Sequence, residues 1–372
     1  MPESFYSIAL TQLRGISISN ARVLYDAFGS AKALYENRND ILSVVPDATP
    51  RLVNALQSWD EALKRADAEL EFIHNKKIAV LCMNDDAYPQ RLKQCDDAPI
   101  VLYYCGNANL NEARVVSMVG TRKCTEYGKD VCRNFLADLK RYYPDVLIVS
   151  GLAYGIDIHS HRSALSNDME TIGVLAHGLD RIYPSVHRQT AVEMVSHGGL
   201  LTEYMSRTTP ERGNFLSRNR IVAGMSDACI VVESADKGGS LVTANIANSY
   251  DRDVMAFPGR AYDEYSAGCN RLIRDQRASL INNAEDFINA MGWQNPLKDK
   301  PSNHLQQELF PDLNEDETKI MDCLRNCEDK AINQIVAETG LSYSRVSVLM
   351  FELEIKNLVK VLGGARYRML KN

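Results

Sequence analysis

Four stretches of this chain hold residue types that bind phosphate. The first, Gly120-Thr121-Arg122-Lys123, follows the apolar run Val115–Val119. The second, Ser150-Gly151-Leu152-Ala153-Tyr154-Gly155-Ile156-Asp157, follows Val146–Val149. A glycine turn between a strand and a helix lets a ligand approach the backbone. The helix start beyond it offers free N–H groups and a positive dipole end. Arg122 adds a guanidinium fork that matches a phosphate with two parallel bonds. The third stretch, Phe215-Leu216-Ser217-Arg218-Asn219-Arg220, sets an aromatic ring beside two arginines and an asparagine. Arginines hold phosphates, and an exposed Phe can stack on a base. The same arginines could instead pair inside the protein with Glu203, Glu211 or Glu233. The fourth, Lys237-Gly238-Gly239-Ser240-Leu241-Val242-Thr243, comes after a strand that ends at Glu233. It is another anion seat, with Ser240 as a helix cap and Lys237 beside it.

Signatures of catalysis are missing from these stretches. The Gly120 turn lacks the third glycine and the distal acid of a dinucleotide fingerprint, and no Gly-Lys-Ser/Thr follows as in a P-loop. The Ser150 turn is not a Gly-x-Ser-x-Gly elbow, so Ser150 has no nucleophile frame. Asp157 can cap the next helix or face an arginine, and His161 on that helix reads as a hydrogen-bonded wall residue. Cys323 and Cys327 would share a helix face, but no second Cys/His pair follows at zinc-finger spacing. The set describes binding better than catalysis, with no metal and no cofactor.

The elements that must position these turns follow from periodicity. Residues 1–72 read as a helical domain, with apolar stripes at Phe5–Leu13, Val23–Phe28 and Leu52–Leu70. Its Leu13-Arg14-Gly15-Ile16 turn is reminiscent of a helix-hairpin-helix, although Ser17 stands where a second glycine belongs. From 73 to 293 strands alternate with helical segments. The strands are Ile78–Cys82, Ile100–Tyr104, Val115–Val119, Val146–Val149, Thr171–Leu175, Gly199–Thr202, Cys229–Val232, Val254–Ala256 and Ser279–Ile281. Such alternation predicts a doubly wound α/β fold, a parallel sheet covered on both faces. All four turns then fall on one edge, outside the carboxyl ends of the strands. Residues 294–316 read as a linker carrying Pro296, Pro301 and Pro311. Beyond it, 317–372 predicts three helices and a hairpin, a winged helix-turn-helix. Ser344, Arg345, Lys356, Arg366, Arg368 and Lys371 make it locally basic, which suits DNA contact; a protein-interaction module is the alternative.

Bulk properties narrow the class. At 372 residues the chain holds two or three domains. Net charge is −6, so any nucleic-acid contact needs a local basic patch. Nine cysteines, an odd number in a chain without a signal pattern, argue against a disulfide framework. No apolar run approaches a membrane span, and a cytoplasmic location is expected.

Taken in order, Gly120-Thr121-Arg122-Lys123 with Tyr127-Gly128, Ser150–Asp157 with His161, Tyr183-Pro184, Arg218-Asn219-Arg220, Gly238–Ala244 and Pro258-Gly259 resemble the DNA-processing protein A family (DprA, also called Smf). Tyr88-Pro89-Gln90-Arg91-Leu92 and Pro99–Gly106 resemble its lead-in. The resemblance covers essentially the whole chain. It implies an extended Rossmann-like core, flanked by a small helical (SAM or helix-hairpin-helix-like) N-terminal domain and a C-terminal winged helix. It also implies that the core binds and shields single-stranded DNA and loads RecA recombinase during natural transformation. A homodimer through the core and no catalysis are implied as well. By motif, the DNA pocket would be formed by Gly120, Thr121, Arg122, Lys123, Ser150, Gly151, Ala153, Gly155, Phe215, Arg218, Asn219, Arg220, Lys237, Gly239, Ser240 and Thr243. Gly238 stands where many members have serine, so the resemblance does not carry a hydroxyl contact over to that position. The same core resembles a wider superfamily containing phosphoribohydrolases that process nucleotides. Their Pro-Gly-Gly-x-Gly-Thr loop and following Glu are absent at 236–243, which argues against that enzyme.

Overall fold

The structure is a computed structural model that describes residues 1–294, 313–325, 329–356, 358–362 and 366–369. Most of the expected linker, together with Cys327, Gly363-Gly364 and Lys371, lies outside the described residues. Two compact units are present, Met1–Leu297 and Lys298–Asn372.

The first unit opens with six helices: α1 (Glu3–Thr11), α2 (Ile18–Phe28), α3 (Ala31–Glu36), α4 (Ile41–Val44), α5 (Pro50–Ala55) and α6 (Asp60–Lys76). Ser17 sits at the N-cap of α2 and accepts a hydrogen bond from Asn20 N at 3.1 Å. Its hydroxyl therefore does the work of a helix cap where a hairpin would need glycine. Phe5, Ile8 and Leu10 of α1 and Ile73 of α6 share one core with Leu81, Val101 and Leu102 of the sheet. For that reason the division expected at residue 72 is not a division in the structure.

The strands are β1 (Ala79–Cys82), β2 (Val101–Gly106), β3 (Val115–Val119), β4 (Leu147–Ser150), β5 (Thr171–Val174), β6 (Gly198–Thr202), β7 (Ala228–Val231), β8 (Asp253–Ala256) and β9 (Ser279–Leu280). Between and after them run α7 (Gln90–Lys93), α8 (Glu126–Tyr142), α9 (Ile156–Ser166), α10 (Arg188–Ser196), α11 (Arg212–Gly224), α12 (Gly239–Ser249), α13 (Ala267–Arg274) and α14 (Ala284–Ala290). They form one sheet in the order β1-β2-β6-β5-β4-β3-β7-β8-β9. Strands β3 to β9 are parallel, as their fully apolar runs predict. The wholly parallel sheet expected from the sequence needs one correction. Strand β2 runs antiparallel to β6, and β1 antiparallel to β2. Antiparallel, β2 ends at the edge where β3 begins. Residues 107–114, reaching roughly 26 Å when extended, then join them without a crossover helix.

Chain order leaves β3 at the centre, with β4, β5 and β6 built out on one side and β7, β8 and β9 on the other. A crevice opens at such a switch point, outside the carboxyl ends of the strands. The turns after β3, β4 and β7 all face it.

The second unit is a winged helix with its own core. It contains α15 (Glu315–Arg325), β10 (Lys330–Ala331), α16 (Ile332–Thr339), α17 (Tyr343–Ile355), β11 (Val359–Leu362) and β12 (Arg366–Met369). Strand β10, unmarked in the sequence, pairs with β12 and makes the hairpin a three-stranded sheet. Ile320, Leu324, Ile335, Val346, Leu349 and Leu353 fill the interior.

Candidate nucleic-acid interface

A pocket of about 490 Å³ lies at the switch point. The turn after β3 supplies Gly120, Thr121 and Arg122; the turn after β4 supplies Gly151 and Ala153, with Asp157 beyond. Helix α11 contributes Arg212, Phe215, Leu216, Arg218 and Asn219, and the start of α12 contributes Gly238, Gly239, Ser240 and Thr243. Four stretches spread over more than a hundred residues of chain thus converge, as their positions after strands predict.

Backbone bonds frame the floor. Thr121 N donates to Glu233 O at 2.7 Å, and Ile156 N donates to Thr121 O at 3.1 Å. The second contact requires glycine at 155, whose φ is +76° and where a Cβ would lie 2.1 Å from Thr121 O. The Glu233 carboxylate is buried and accepts from Thr125 N at 2.9 Å and from Thr125 Oγ1 at 2.6 Å. This ties the first turn to the end of β7. Helices α11 and α12 both begin at the pocket, and neither has a side chain capping its first turn. Their free N–H groups and dipole ends face the opening.

Arg122 is exposed and has no carboxylate partner among the described residues; its guanidinium lies 5.4 Å from the centre of the Phe215 ring. Arg212, on the first turn of α11, is also exposed and free of such a partner among the described residues. Sequence reasoning missed it, although it stands one helical turn before Phe215 and shares that face. Tyr183 was likewise not assigned to the site. Its ring lies 5.8 Å from that of Phe215, and its N–H donates to His177 Nε2 at 3.2 Å.

Several expected contacts have other duties. Phe215, expected to be exposed, is half-buried, with Arg122 and Tyr183 beside its ring. Ser150 is fully buried and donates to Met118 O at 2.6 Å, so its hydroxyl belongs to the sheet. Arg220 is buried, turned away from the pocket, and donates to Glu203 Oε2 at 2.5 Å. The internal ion pair is thus the arginine's role. Burial pushes the Glu203 carboxyl up, while Arg220 pulls it back toward the charged form. Lys123 and Lys237 are exposed, flanking the pocket without lining it; Gly155 lies behind its wall.

Arg218 holds an intermediate position. It borders the pocket yet is buried, donating to Gly151 O at 2.6 Å and to Val174 O. Burial pulls its guanidinium down, opposed by the charge of Asp157, and burial likewise raises Asp157, opposed chiefly by Arg218. The two hold the Ser150–Gly155 turn in place. His161, read as a hydrogen-bonded wall residue, is buried and hydrogen-bonded but does not line the pocket: its Nδ1 lies 2.7 Å from Thr171 Oγ1, and burial pushes it down to about 3.

The family model for DNA recombination-mediator protein A matches residues 79–292, the sheet and all four turns. The chain belongs to the DNA recombination-mediator protein A family. A second model, the DprA winged helix domain, matches residues 307–365. Protein Smf of Synechocystis sp. is 31% identical over 98% of both chains. Among solved members of the family, DNA processing protein A from Streptococcus pneumoniae superposes with a TM-score of 0.64 at 30% identity, covering 78% of this chain and 98% of that one. The family's Helicobacter pylori member, solved to study its single-stranded DNA binding mode, superposes with a TM-score of 0.52 at 31% identity, over 58% of this chain and 95% of that one.

Proposed function

We propose that the switch-point pocket binds single-stranded DNA, taking the backbone phosphates and leaving the bases largely unread. The observation that carries this reading is a pair of exposed arginines, Arg122 and Arg212, without carboxylate partners among the described residues and beside two uncapped helix starts. Gly120, Thr121, Gly151, Ala153, Gly239, Ser240 and Thr243 supply the surface against which a phosphate sits. Phe215, Tyr183 and Asn219 border the bases. Lys123 and Lys237 extend the positive field, while Arg218 and Arg220 act from within as struts. The Helicobacter pylori relative, studied for its single-stranded DNA binding, supports the same ligand here.

Asp157, the one carboxylate among the described lining residues, is buried against Arg218 and has no partner base. This supports a binder over a phosphoribohydrolase-like enzyme. In the same reading the protein protects incoming single strands and passes them to RecA recombinase during transformation, acting as a homodimer through the core. Titration of an oligothymidylate at several salt concentrations tests the site. Binding that weakens with salt and weakens further in Arg122→Ala supports it; full affinity in Arg122→Ala and Arg212→Ala together would place the site elsewhere. Free base released from nucleoside monophosphates would favour the enzyme.

A further inference from the structure

The winged helix presents a second surface, of different character. On α17, Val346, Leu349, Met350 and Leu353 are buried in the unit's own core. Directly opposite, at helical spacing, stand Ser344, Val348, Phe351 and Ile355. Val348, Phe351 and Ile355 are 51%, 63% and 66% exposed. In a winged helix-turn-helix this face of the last helix is the one that enters a DNA groove. Here it is apolar and bordered by exposed Glu352 and Glu354 and by Arg345, which Asp316 already partners, so it offers little to a phosphate.

The basic residues expected to draw DNA to this unit are largely engaged. Arg345 pairs with Asp316 at 3.1 Å, Lys356 with Glu317 at 2.6 Å and Arg366 with Asp329 at 2.9 Å. Between residues 313 and 372 there are nine Lys or Arg and nine Asp or Glu, so the unit is neutral.

We propose that this face is a homotypic interface, in which α17 packs antiparallel against α17 of a second copy. The stripe is close to palindromic. In antiparallel contact Ser344 meets Ile355 and Val348 meets Phe351, each twice, which is what a two-fold interface requires. Charge selects the same orientation. Arg345 and Glu352 lie on one flank of the helix, in its first and second halves. Antiparallel packing brings each Arg345 toward the other copy's Glu352, whereas parallel packing would set Glu352 toward the other copy's Glu354, on the opposite flank of the helix. Three apolar side chains per copy are fewer than a stable interface needs, so this contact is weak alone. It gains strength when another contact already holds two copies together. The inference stands apart from the DNA-pocket reading.

The test uses the full chain with a benzophenone side chain placed at position 344. Irradiating a mixture of isotopically heavy and light protein is expected to yield inter-chain products mapped near Ile355. Phe351→Glu, an exposed position whose fold is checked by circular dichroism, should cut their yield at least tenfold. Arg345→Glu and Glu352→Arg should each reduce the yield alone and restore it when mixed, because the two then offer opposite charges. Products confined to one chain, a yield indifferent to Phe351→Glu, or a mixture no better than either single variant would each overturn the proposal. So would loss of DNA affinity in Phe351→Glu with no effect on crosslinking, which would put nucleic acid on this face.

Discussion

Two regions of this protein carry arginines and lysines on helix-rich surfaces, and they treat those charges in opposite ways. At the sheet edge, Arg122 and Arg212 are exposed, and α11 and α12 begin beside them without side-chain caps. On the winged helix, Arg345, Lys356 and Arg366 are matched by carboxylates, and α17 is capped by Ser342 through Arg345 N at 3.3 Å. A surface whose charges are already satisfied has little to offer a phosphate. One whose donors are left open by the protein's own carboxylates suits an anion.

The largest test of this contrast lies beneath the pocket. Arg218→Ala leaves Asp157 buried without its cation and frees the carbonyls of Gly151 and Val174. A loss of about 3–5 kcal/mol in unfolding free energy is expected, read by denaturant titration. Arg218→Lys should recover part of the stability. A change under about 1 kcal/mol would mean that the arginine is not a strut.

Next in size are the exposed arginines. Arg122→Ala or Arg212→Ala should each weaken oligothymidylate binding about tenfold, since each removes a charge-assisted hydrogen bond. The slope of log affinity against log salt should become shallower by about 0.7 for each phosphate that no longer meets a cation. Thermal stability should stay nearly level, which separates these residues from Arg218.

Acidification probes the buried histidine. His161 is held near 3 in the fold against an ordinary value of 6.5, so the unfolded chain binds the extra proton first. Stability is therefore full above about pH 6.5 and declines by up to about 1.4 kcal/mol per pH unit as pH falls toward 3. The decline should be shallower in His161→Gln; equal slopes would exclude His161 as the cause.

The smallest expected effect completes the comparison. Arg345→Ala and Arg366→Ala should alter oligothymidylate affinity by less than about twofold and leave its salt slope unchanged. A tenfold loss in either would erase the distinction between the two regions.

Much of this was legible in the sequence, for definable reasons. Apolar runs ending in glycine marked the parallel strands, and their order placed the turns on one edge. Strands β1 and β2 carry the same apolar signal as the others, and nothing local records their direction. Arg218 and Arg220 are two residues apart on α11, yet they serve different partners. Periodicity puts them about 200° apart around the helix, but only the fold puts Glu203 behind one and Gly151 behind the other. Ser150 read as a ligand because a hydroxyl in a glycine turn looks the same whether it faces solvent or a strand carbonyl. Arg212 escaped notice because it precedes the motif by one turn.

The backbone bonds that link Thr121 to Glu233 and to Ile156 have a thermodynamic consequence. Three loops from distant parts of the chain are locked to one another by the protein's own backbone bonds, so the protein has little left to order on binding. The conformational entropy lost on association then falls on the flexible nucleic-acid strand. Affinity should accordingly rise with oligonucleotide length until the strand spans the pocket, then level off, with a heat-capacity change too small for any refolding of the protein.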